Sequence, residues 1–312
     1  MKINFKCGVE GLSLMRRKIA QLTCCLLPVI GLVVTGCSSS SMETSNAKAV
    51  SNIQDVEIDS KALATTMRFD VYTPPGYNPK ARYPVVYMLY GYGGNRDYVF
   101  ENMGLGEVSD RLVQQGTIVP MLIVSPDYGN SFAVNTVPGQ GVNPGGVDEG
   151  NYEDYLVEEV IPYVDSHYST IASREGRYVG GFSMGGYAAL YLGFNHADLF
   201  SKIGGHSAAI WDYTDNDQYM DQRDWLFPTE ALREQRDPFK LAVSRNLNDV
   251  DIYLDAGSSD QLAEADQELY ALLKSRHVEA EWHANPGDHS VSYWTEHFED
   301  YLKFYSGEVG SK

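Results

Sequence analysis

The pattern of hydrophobic and polar positions along this chain alternates between one typical of strands and one typical of helices. From about Ile53, short apolar runs bounded by turn-forming residues predict strands, and most segments between them carry a helical pattern. The first two runs are joined closely, whereas later runs are separated by helix-length segments. This order predicts the α/β class, with a mainly parallel sheet of about eight strands, an antiparallel start and helices on both faces. The strands are expected at Gln54–Ile58, Met67–Tyr72, Val85–Leu89, Met121–Ser125, Tyr178–Gly181, Lys202–Gly204, Asp251–Asp255 and Glu279–His283.

One helix and two loops stand out within this pattern. Apolar residues at a helical spacing predict a helix over Tyr152–His167, which Pro162 is expected to kink. The segments Pro126–Gly150 and Ile210–Lys240 read as long loops that follow strands, and loops of this length usually build binding pockets. We expect their aromatic side chains to wall such a pocket: Tyr128, Phe132, Trp211, Tyr213, Tyr219 and Trp225.

The first 36 residues differ from the rest of the chain. A basic cluster at 16–18 precedes an apolar run from Ile19 to Val34, and small residues then lead to Cys37. This order is typical of a secretion signal, and Val34-Thr35-Gly36-Cys37 resembles the lipobox of bacterial lipoproteins. Translation from Met15 instead of Met1 would leave the signal intact. We expect a lipoprotein-type signal peptide at 1–36, lipidation at Cys37, a flexible tether at 37–52, the folded domain at 53–306 and a tail at 307–312.

An uncleaved transmembrane anchor is the alternative for this segment. However, Gln21 and Pro28 interrupt the apolar run, which barely reaches the length that spans a bilayer. Cleavage and lipidation would place the protein in the cell envelope, outside the cytoplasm. Ser38, which follows the lipidated cysteine, favours the outer membrane by analogy with lipoprotein sorting. The cysteines lie at 7, 24, 25 and 37, so the folded domain offers neither a disulfide framework nor a cysteine metal site.

The net charge of the chain limits the kinds of binding partner that we expect. The chain of 312 residues has a formal net charge of −18, and removal of five basic residues and one acidic residue with the signal makes it −22. Such a surface repels nucleic acid and anionic lipid headgroups. We therefore expect no nucleic-acid partner, and membrane contact through the lipid anchor alone. The hydrophobic content of 43% is ordinary for a packed domain.

The motif Gly181-Phe182-Ser183-Met184-Gly185 carries the chemistry of this chain. It lies between a predicted strand and a helix of small residues, which is the context of the nucleophile elbow of an α/β-hydrolase. The glycines leave room where strand and helix nearly collide, and the turn presents the Ser183 hydroxyl at a helix N-terminus. The alternative is a glycine-rich turn whose serine is only a helix cap.

A serine nucleophile needs a base and an acid, which in this fold follow it in the chain. Asp255 lies at the end of the predicted strand at 251–255 and Asp260 lies beyond it, and Asp260 is favoured because a glycine loop can aim it across the sheet edge. Its alternative role is the N-cap of the next helix. His289 is favoured as the base because it lies in the turn-rich loop at 285–290. The other candidate histidines are His277, His283 and His297.

The oxyanion formed during acyl transfer needs backbone donors. The N–H of Met184 follows the nucleophile, and the glycine-rich loop at 90–95 follows the third predicted strand. The N–H of Tyr92 is therefore expected to be the second donor. No cofactor and no metal are expected.

Several motifs together resemble the putative-esterase (esterase D-like) family of α/β-hydrolases. They are L-Y-G-Y-G-G at 89–94, N-Y-E-D-Y-L-V-E-E-V-I-P-Y-V at 151–164, G-G-F-S-M-G-G at 180–186, G-S-S-D at 257–260 and G-D-H-S-V-S-Y-W at 287–294. The resemblance covers roughly Val56 to Phe304 and implies Ser183 as nucleophile, Asp260 as acid, His289 as base and Tyr92 and Met184 as oxyanion donors. One departure is Tyr90-Gly91, where many relatives carry His-Gly.

The favoured function is thus an extracytoplasmic serine carboxylester hydrolase that works through an acyl-enzyme on a small-molecule or glycan ester, such as an acyl or feruloyl ester. The first alternative is an acyltransferase that passes the acyl group to a sugar or lipid hydroxyl. The second is a lipoprotein that binds a surface ligand with a retired hydrolase fold, which the intact set of candidate residues disfavours.

Overall fold

The structure is a computed structural model that describes residues 49–137, 139–211 and 220–307. An eight-stranded sheet forms its centre, with the strand order β1-β2-β4-β3-β5-β6-β7-β8. The strands are β1 (Asn52–Ser60), β2 (Thr65–Thr73), β3 (Val85–Leu89), β4 (Leu122–Pro126), β5 (Arg177–Phe182), β6 (Lys202–His206), β7 (Asp251–Gly257) and β8 (Ala280–Asn285).

The direction of the strands follows from the lengths of their connections. A four-residue turn joins β1 to β2, so these strands pair antiparallel, with Val56 opposite Phe69. Helical crossovers separate most of the later strands, and β4, β3, β5, β6, β7 and β8 pair parallel. The central strands β3, β4 and β5 are buried along their whole length. The predicted mainly parallel sheet with an antiparallel start is confirmed.

Helices cover both faces of the sheet, as two adjacent glycines of β5 demonstrate. A Cβ atom on Gly180 would lie 1.8 Å from the hydroxyl of Tyr305, whereas one on Gly181 would lie 2.4 Å from the carbonyl oxygen of Gly185. Successive strand residues point to opposite faces, so Tyr305 and Gly185 belong to different layers. The helices are α1 (Leu105–Gln115), α2 (Tyr152–Asp154), α3 (Ile161–His167), α4 (Met184–Asn195), α5 (Met220–Leu226), α6 (Glu230–Arg236), α7 (Pro238–Ser244), α8 (Ala263–Ser275), α9 (Val291–Glu296) and α10 (Phe298–Ser306).

The helix predicted at 152–167 changes its hydrogen-bond pattern just before Pro162. A π-helical segment, Tyr155–Val160, separates α2 from α3, and Pro162 lies in the first turn of α3. A proline has no N–H for the preceding turn, and a π-helical turn accommodates the missing hydrogen bond.

The segment 210–240 is not a loop throughout, so that part of the expectation was wrong. Helices α5, α6 and the start of α7 occupy much of it. Thr229 caps α6 by accepting the N–H of Leu232, and Asp237 caps α7 by accepting the N–H of Phe239. Both capping residues are helix-start signals that can be recognised in the sequence, and Pro238 at the first position of α7 is a further one.

Several expectations fall outside the described residues. They concern the signal peptide at 1–36, lipidation of Cys37, most of the tether at 37–52 and most of the tail at 307–312. Strand β1 begins at Asn52, so the last residue of the expected tether belongs to the sheet. No helix within 49–137, 139–211 or 220–307 is long and apolar enough to cross a bilayer.

Candidate active site

Ser183 occupies a strained turn between β5 and α4. Its φ and ψ are 56° and −115°, in a region that residues other than glycine rarely adopt. A Cβ atom on Gly185 would lie 2.1 Å from the carbonyl oxygen of Leu89, so no larger residue fits there. The N–H of Ser183 donates to the carbonyl of His206, and its own carbonyl accepts the N–H of Ala209, both at 2.9 Å. Neighbouring backbone therefore holds this conformation on both sides.

The structure brings Ser183, His289 and Asp260 together in one chain of hydrogen bonds. The Oγ of Ser183 lies 2.8 Å from Nε2 of His289, and Nδ1 of His289 lies 2.9 Å from Oδ2 of Asp260. The other oxygen of Asp260 accepts the N–H of Leu262 at 2.9 Å. Asp260 thus contacts the histidine through one oxygen and the local backbone through the other, since a carboxylate has two acceptor oxygens. It is not the N-cap that its alternative role required, because α8 begins at Ala263 and Leu262 is the N-cap residue.

Opposing effects determine the pKa of the Asp260 carboxyl. Burial by itself raises this pKa, since the residue is only 6% exposed. The hydrogen bond and charge of His289 oppose burial, followed by the N–H of Leu262 and the hydroxyl of Ser207. The pKa of Asp260 is held below its ordinary value by these partners together. The carboxylate therefore stays charged beside the imidazole at neutral pH.

Asp255, the other candidate acid, does not reach His289. It is fully buried, and its Oδ1 lies 2.8 Å from Nδ1 of His206. Its Oδ2 accepts the hydroxyls of Tyr293 at 2.8 Å and Tyr301 at 2.7 Å. The remaining nitrogen of His206 lies 2.9 Å from the hydroxyl of Tyr305. Asp255 is therefore the centre of a buried polar cluster between the sheet and the C-terminal helices.

The other three candidate histidines lie outside the hydrogen-bond chain of Ser183. His283 stacks on Tyr253, with ring centroids 4.5 Å apart. His297 lies 3.3 Å from the carboxylate of Asp300. His277 has a positive φ of 62° just beyond α8.

The geometry of the 91–94 turn places the N–H of Tyr92 on its outer side. The N–H of Gly94 donates to the carbonyl of Gly91 at 3.0 Å, and Gly93 has a φ of +77°, as the third residue of a type II turn requires. The carbonyl of Gly91 and the N–H of Tyr92 belong to one planar trans peptide, so they point in opposite directions. Tyr92 N–H therefore points out of the turn, and both Tyr92 and Met184 line the cavity above Ser183.

This cavity has a volume of about 360 Å³, and aromatic residues form part of its wall. Of the aromatic residues expected there, Phe132 and Trp211 line it, with ring centroids 6.1 Å apart. Trp225 packs behind Phe132, and Tyr128 lies buried beneath the glycine-rich loop. Tyr213 and Tyr219 lie outside the described residues. Phe132 and Ala133 have φ values of 56° and 58°, so a strained turn delivers the phenyl ring to the cavity.

Other lining residues were not predicted from the sequence: Tyr98, Met103, Gln222, Leu262, Val291 and Trp294. Val291 and Trp294 had a local signal, because both lie in the motif that contains His289. The ring of Trp294 packs edge-on against the imidazole, with ring centroids 5.2 Å apart. The others come from separate segments that only the fold brings together. Among the described residues, no group of three or more His, Cys, Asp or Glu side chains is arranged to hold a metal ion.

Several curated proteins are similar in sequence to this chain. The endo-1,4-beta-xylanase Y of Acetivibrio thermocellus is 30% identical over 157 residues, which are 47% of this chain and 13% of that protein. The uncharacterized protein YjcH of Bacillus subtilis is 24% identical over 78% of this chain and 92% of its own length. The first four curated relatives are much longer proteins, of which the chain covers 13% to 28%.

The fold is shared with a solved ferulic acid esterase. That structure superposes with a TM-score of 0.68 at 26% identity, over 83% of this chain and 98% of the other. The model of the family described as "Putative esterase" matches residues 60–305, which contain Ser183, Asp260 and His289. The chain therefore belongs to this esterase family and has the α/β-hydrolase fold.

Proposed function

We propose that the protein is an extracytoplasmic serine carboxylester hydrolase that cleaves acyl esters, with feruloyl esters of glycans as the favoured class. The observation that carries the proposal is the hydrogen-bond chain from Ser183 through His289 to Asp260, which opens on an aromatic cavity. The likeness to a ferulic acid esterase supports the choice of an aromatic acid. Aromatic rings such as Phe132 and Trp211 offer the flat apolar contacts that an aryl acid prefers.

In the proposed first half-reaction, Nε2 of His289 takes the hydroxyl proton of Ser183 while Oγ attacks the ester carbonyl. The N–H groups of Tyr92 and Met184 donate to the resulting oxyanion. Within the described residues, neither amide donates to another loop or turn carbonyl, so both are free for this role. His289 then gives the proton to the alcohol oxygen as the C–O bond breaks. The alcohol leaves, and the acyl group stays on Ser183.

The second half-reaction repeats these steps with water as the nucleophile. His289 takes a proton from water, which attacks the acyl carbonyl, and then returns the proton to Oγ of Ser183. The carboxylic acid is released and the enzyme is restored. Asp260 keeps the imidazole oriented and stabilises its positive charge throughout, which requires a carboxylate that stays ionised.

Hydrolysis of p-nitrophenyl esters from acetate to longer chains, together with feruloyl esters, tests the proposal. The assay uses the soluble protein that begins near Ser38, with Ser183→Ala beside it. Ser166→Ala, at an exposed position of α3, is the matched control. We expect turnover in the wild type and the control and essentially none in Ser183→Ala. Turnover that survives in Ser183→Ala would exclude the serine mechanism. Acylated sugar among the products, when a sugar acceptor is added, would point to acyl transfer instead.

We also propose that Cys37 carries the lipid anchor, on the basis of the sequence motif alone. Cells that express the full chain should incorporate labelled palmitate into the protein, and Cys37→Ala should abolish this incorporation. Cys24→Ala, inside the expected signal, is the matched control and should still give labelled protein. Equal labelling of all three forms, or no labelling of the wild type, would contradict the proposal.

A further inference from the structure

Tyr90 belongs to the Tyr90-Gly91 step of the glycine-rich loop, and the structure shows what its side chain contacts. It immediately follows β3, directly before the turn that presents the N–H of Tyr92. Its side chain is fully buried and packs on the ring of Tyr128, with centroids 4.5 Å apart. Tyr128 is also fully buried, in the segment that follows β4.

The two tyrosines hold each other through reciprocal hydrogen bonds between side chain and backbone. The hydroxyl of Tyr128 donates to the backbone carbonyl of Tyr90. The backbone N–H of Tyr128 donates to the hydroxyl oxygen of Tyr90 at 2.9 Å, and this hydroxyl donates to Asp127 at 2.7 Å. Burial raises the pKa of both hydroxyls, so both keep their protons over any working pH range. We call this arrangement the Tyr90–Tyr128 pair.

The pair fixes the peptide plane next to the expected oxyanion donor. Tyr128 anchors the carbonyl of Tyr90, and the N–H of Gly94 anchors the carbonyl of Gly91 at 3.0 Å. Gly91 connects these two planes, and a glycine permits many relative orientations of its neighbours. Without the hydroxyl of Tyr128, the peptide plane before Gly91 would lose its side-chain anchor. The orientation of the near end of the turn therefore depends on this anchor.

This position matters because the turn lies directly against the nucleophile. A Cβ atom on Gly91 would be 3.5 Å from Cβ of Ser183, and one on Gly185 would be 2.6 Å from the carbonyl oxygen of Tyr90. The far end of the turn contacts the segment after β4 that also contains Tyr128, because the side-chain oxygen of Asn130 accepts the N–H of Gly93 at 2.7 Å. The segment after β4 thus holds the turn at both ends.

We propose that Tyr90 and Tyr128 are positioning residues for the oxyanion hole, which aim the N–H of Tyr92 at the developing negative charge. The inference rests on the proposed function, since it assigns a role within the same reaction. Neither side chain lines the cavity, so both act through the backbone and not by touching the substrate.

The test uses Tyr128→Phe, which keeps the ring but removes the hydroxyl that holds the carbonyl of Tyr90. We expect kcat to fall by at least roughly tenfold. The fall should be smaller than the ~10²–10³-fold loss that follows removal of an oxyanion donor itself. KM should stay within about twofold, because ground-state contacts are unchanged. The rate of Ser183 phosphonylation by a fluorophosphonate should fall in parallel with kcat. Tyr90→Phe keeps this anchor and removes only the hydroxyl that contacts the N–H of Tyr128 and Asp127, so we expect a smaller fall in kcat.

Tyr72→Phe is the matched control, because Tyr72 is fully buried and its hydroxyl donates to Asp110 at 2.7 Å, outside the cavity lining. It should lose comparable thermal stability yet keep the wild-type kcat and labelling rate. Wild-type kcat in a folded Tyr128→Phe, or an equal fall of kcat in Tyr72→Phe, would overturn the inference. A wild type that is labelled but cleaves no ester would contradict the proposed function alone, and the labelling rates of the variants would then decide the inference. A wild type that is not labelled would contradict both.

Discussion

Oδ2 of Asp260 lies 2.9 Å from Nδ1 of His289, while Oδ1 of the same carboxylate accepts the N–H of Leu262. The backbone therefore fixes the orientation of the carboxylate, and with it the face that meets the imidazole. Asp260→Asn should keep most contacts but present an amide to Nδ1, which favours the wrong tautomer of His289. We expect kcat to fall on the order of 10⁴-fold. Ester hydrolysis normalised to folded protein measures this loss.

Asp255→Asn provides the comparison, because Asp255 was the other acid that the sequence allowed. It should lower the melting temperature, since it disturbs the hydroxyls of Tyr293 and Tyr301. The folded fraction should nevertheless keep kcat within about threefold. A larger loss of kcat in Asp255→Asn than in Asp260→Asn would reverse the assignment of the acid.

Asp266 should make the protein less stable as the pH rises. It is completely buried on α8, with one oxygen on the N–H of Ala208 and the other without a partner. Burial, and then the charges of Asp260 and Asp255, raise its pKa well above the ordinary value. Between the unfolded pKa of about 4 and this raised folded pKa, unfolding releases a proton. The free energy of unfolding therefore loses about 1.4 kcal/mol per pH unit.

Asp266→Asn removes this proton release but keeps an oxygen for Ala208. Its free energy of unfolding, measured by urea denaturation from pH 5 to pH 8, should rise relative to the wild type as the pH increases. A constant difference between the two curves would show that Asp266 is ionised in the folded protein.

Phe132→Ala should change the selectivity of the cavity. The phenyl ring lies on its wall beside Trp211, in a turn whose backbone is strained to place it there. Loss of this wall should lower kcat/KM for a feruloyl ester about tenfold relative to an acetyl ester, because acetate is too small to use the contact. The ratio of the two kcat/KM values is the measurement. Phe200→Ala, also buried but outside the cavity lining, should lose stability and leave the ratio unchanged.

Gly185→Ala should disrupt the turn that carries Ser183. The new methyl group would lie 2.1 Å from the carbonyl oxygen of Leu89, so β3 and α4 would have to move apart. We expect destabilisation of at least about 3 kcal/mol and loss of fluorophosphonate labelling. Gly106→Ala on α1 is the control, because its methyl group would meet no atom closer than 3.7 Å and alanine favours helix. Equal melting temperatures of the two variants would contradict this account.

The sequence predicted the sheet well because its strands are short apolar runs separated by turn residues. All eight predicted strands overlap observed ones, and the motif around Ser183 lies at the predicted junction of strand and helix. The expected site residues had strong local signals of this kind, such as the turn-rich loop around His289. Their catalytic roles remain predictions that the proposed variants test.

Other features depend on contacts that no local pattern reveals. The Tyr90–Tyr128 pair joins residues 38 positions apart, and Asp266 lies inside an ordinary amphipathic helix pattern. Trp294 and Phe132 reach the cavity from segments on opposite sides of Ser183 in the chain. In each case the contact forms only in the folded protein, and the local sequence around the two residues does not predict it.

The C-terminal helix α10 completes the polar interior of the domain. Tyr301 and Tyr305 supply hydroxyls to Asp255 and His206, two buried groups that are made much earlier in the chain. During synthesis these groups lack the tyrosine hydroxyls until α10 has been made, and an unpaired polar group in the core is costly. A nascent chain that stops before Tyr301 would therefore expose an unfinished core to proteases and aggregation, even though every candidate catalytic residue had already been made.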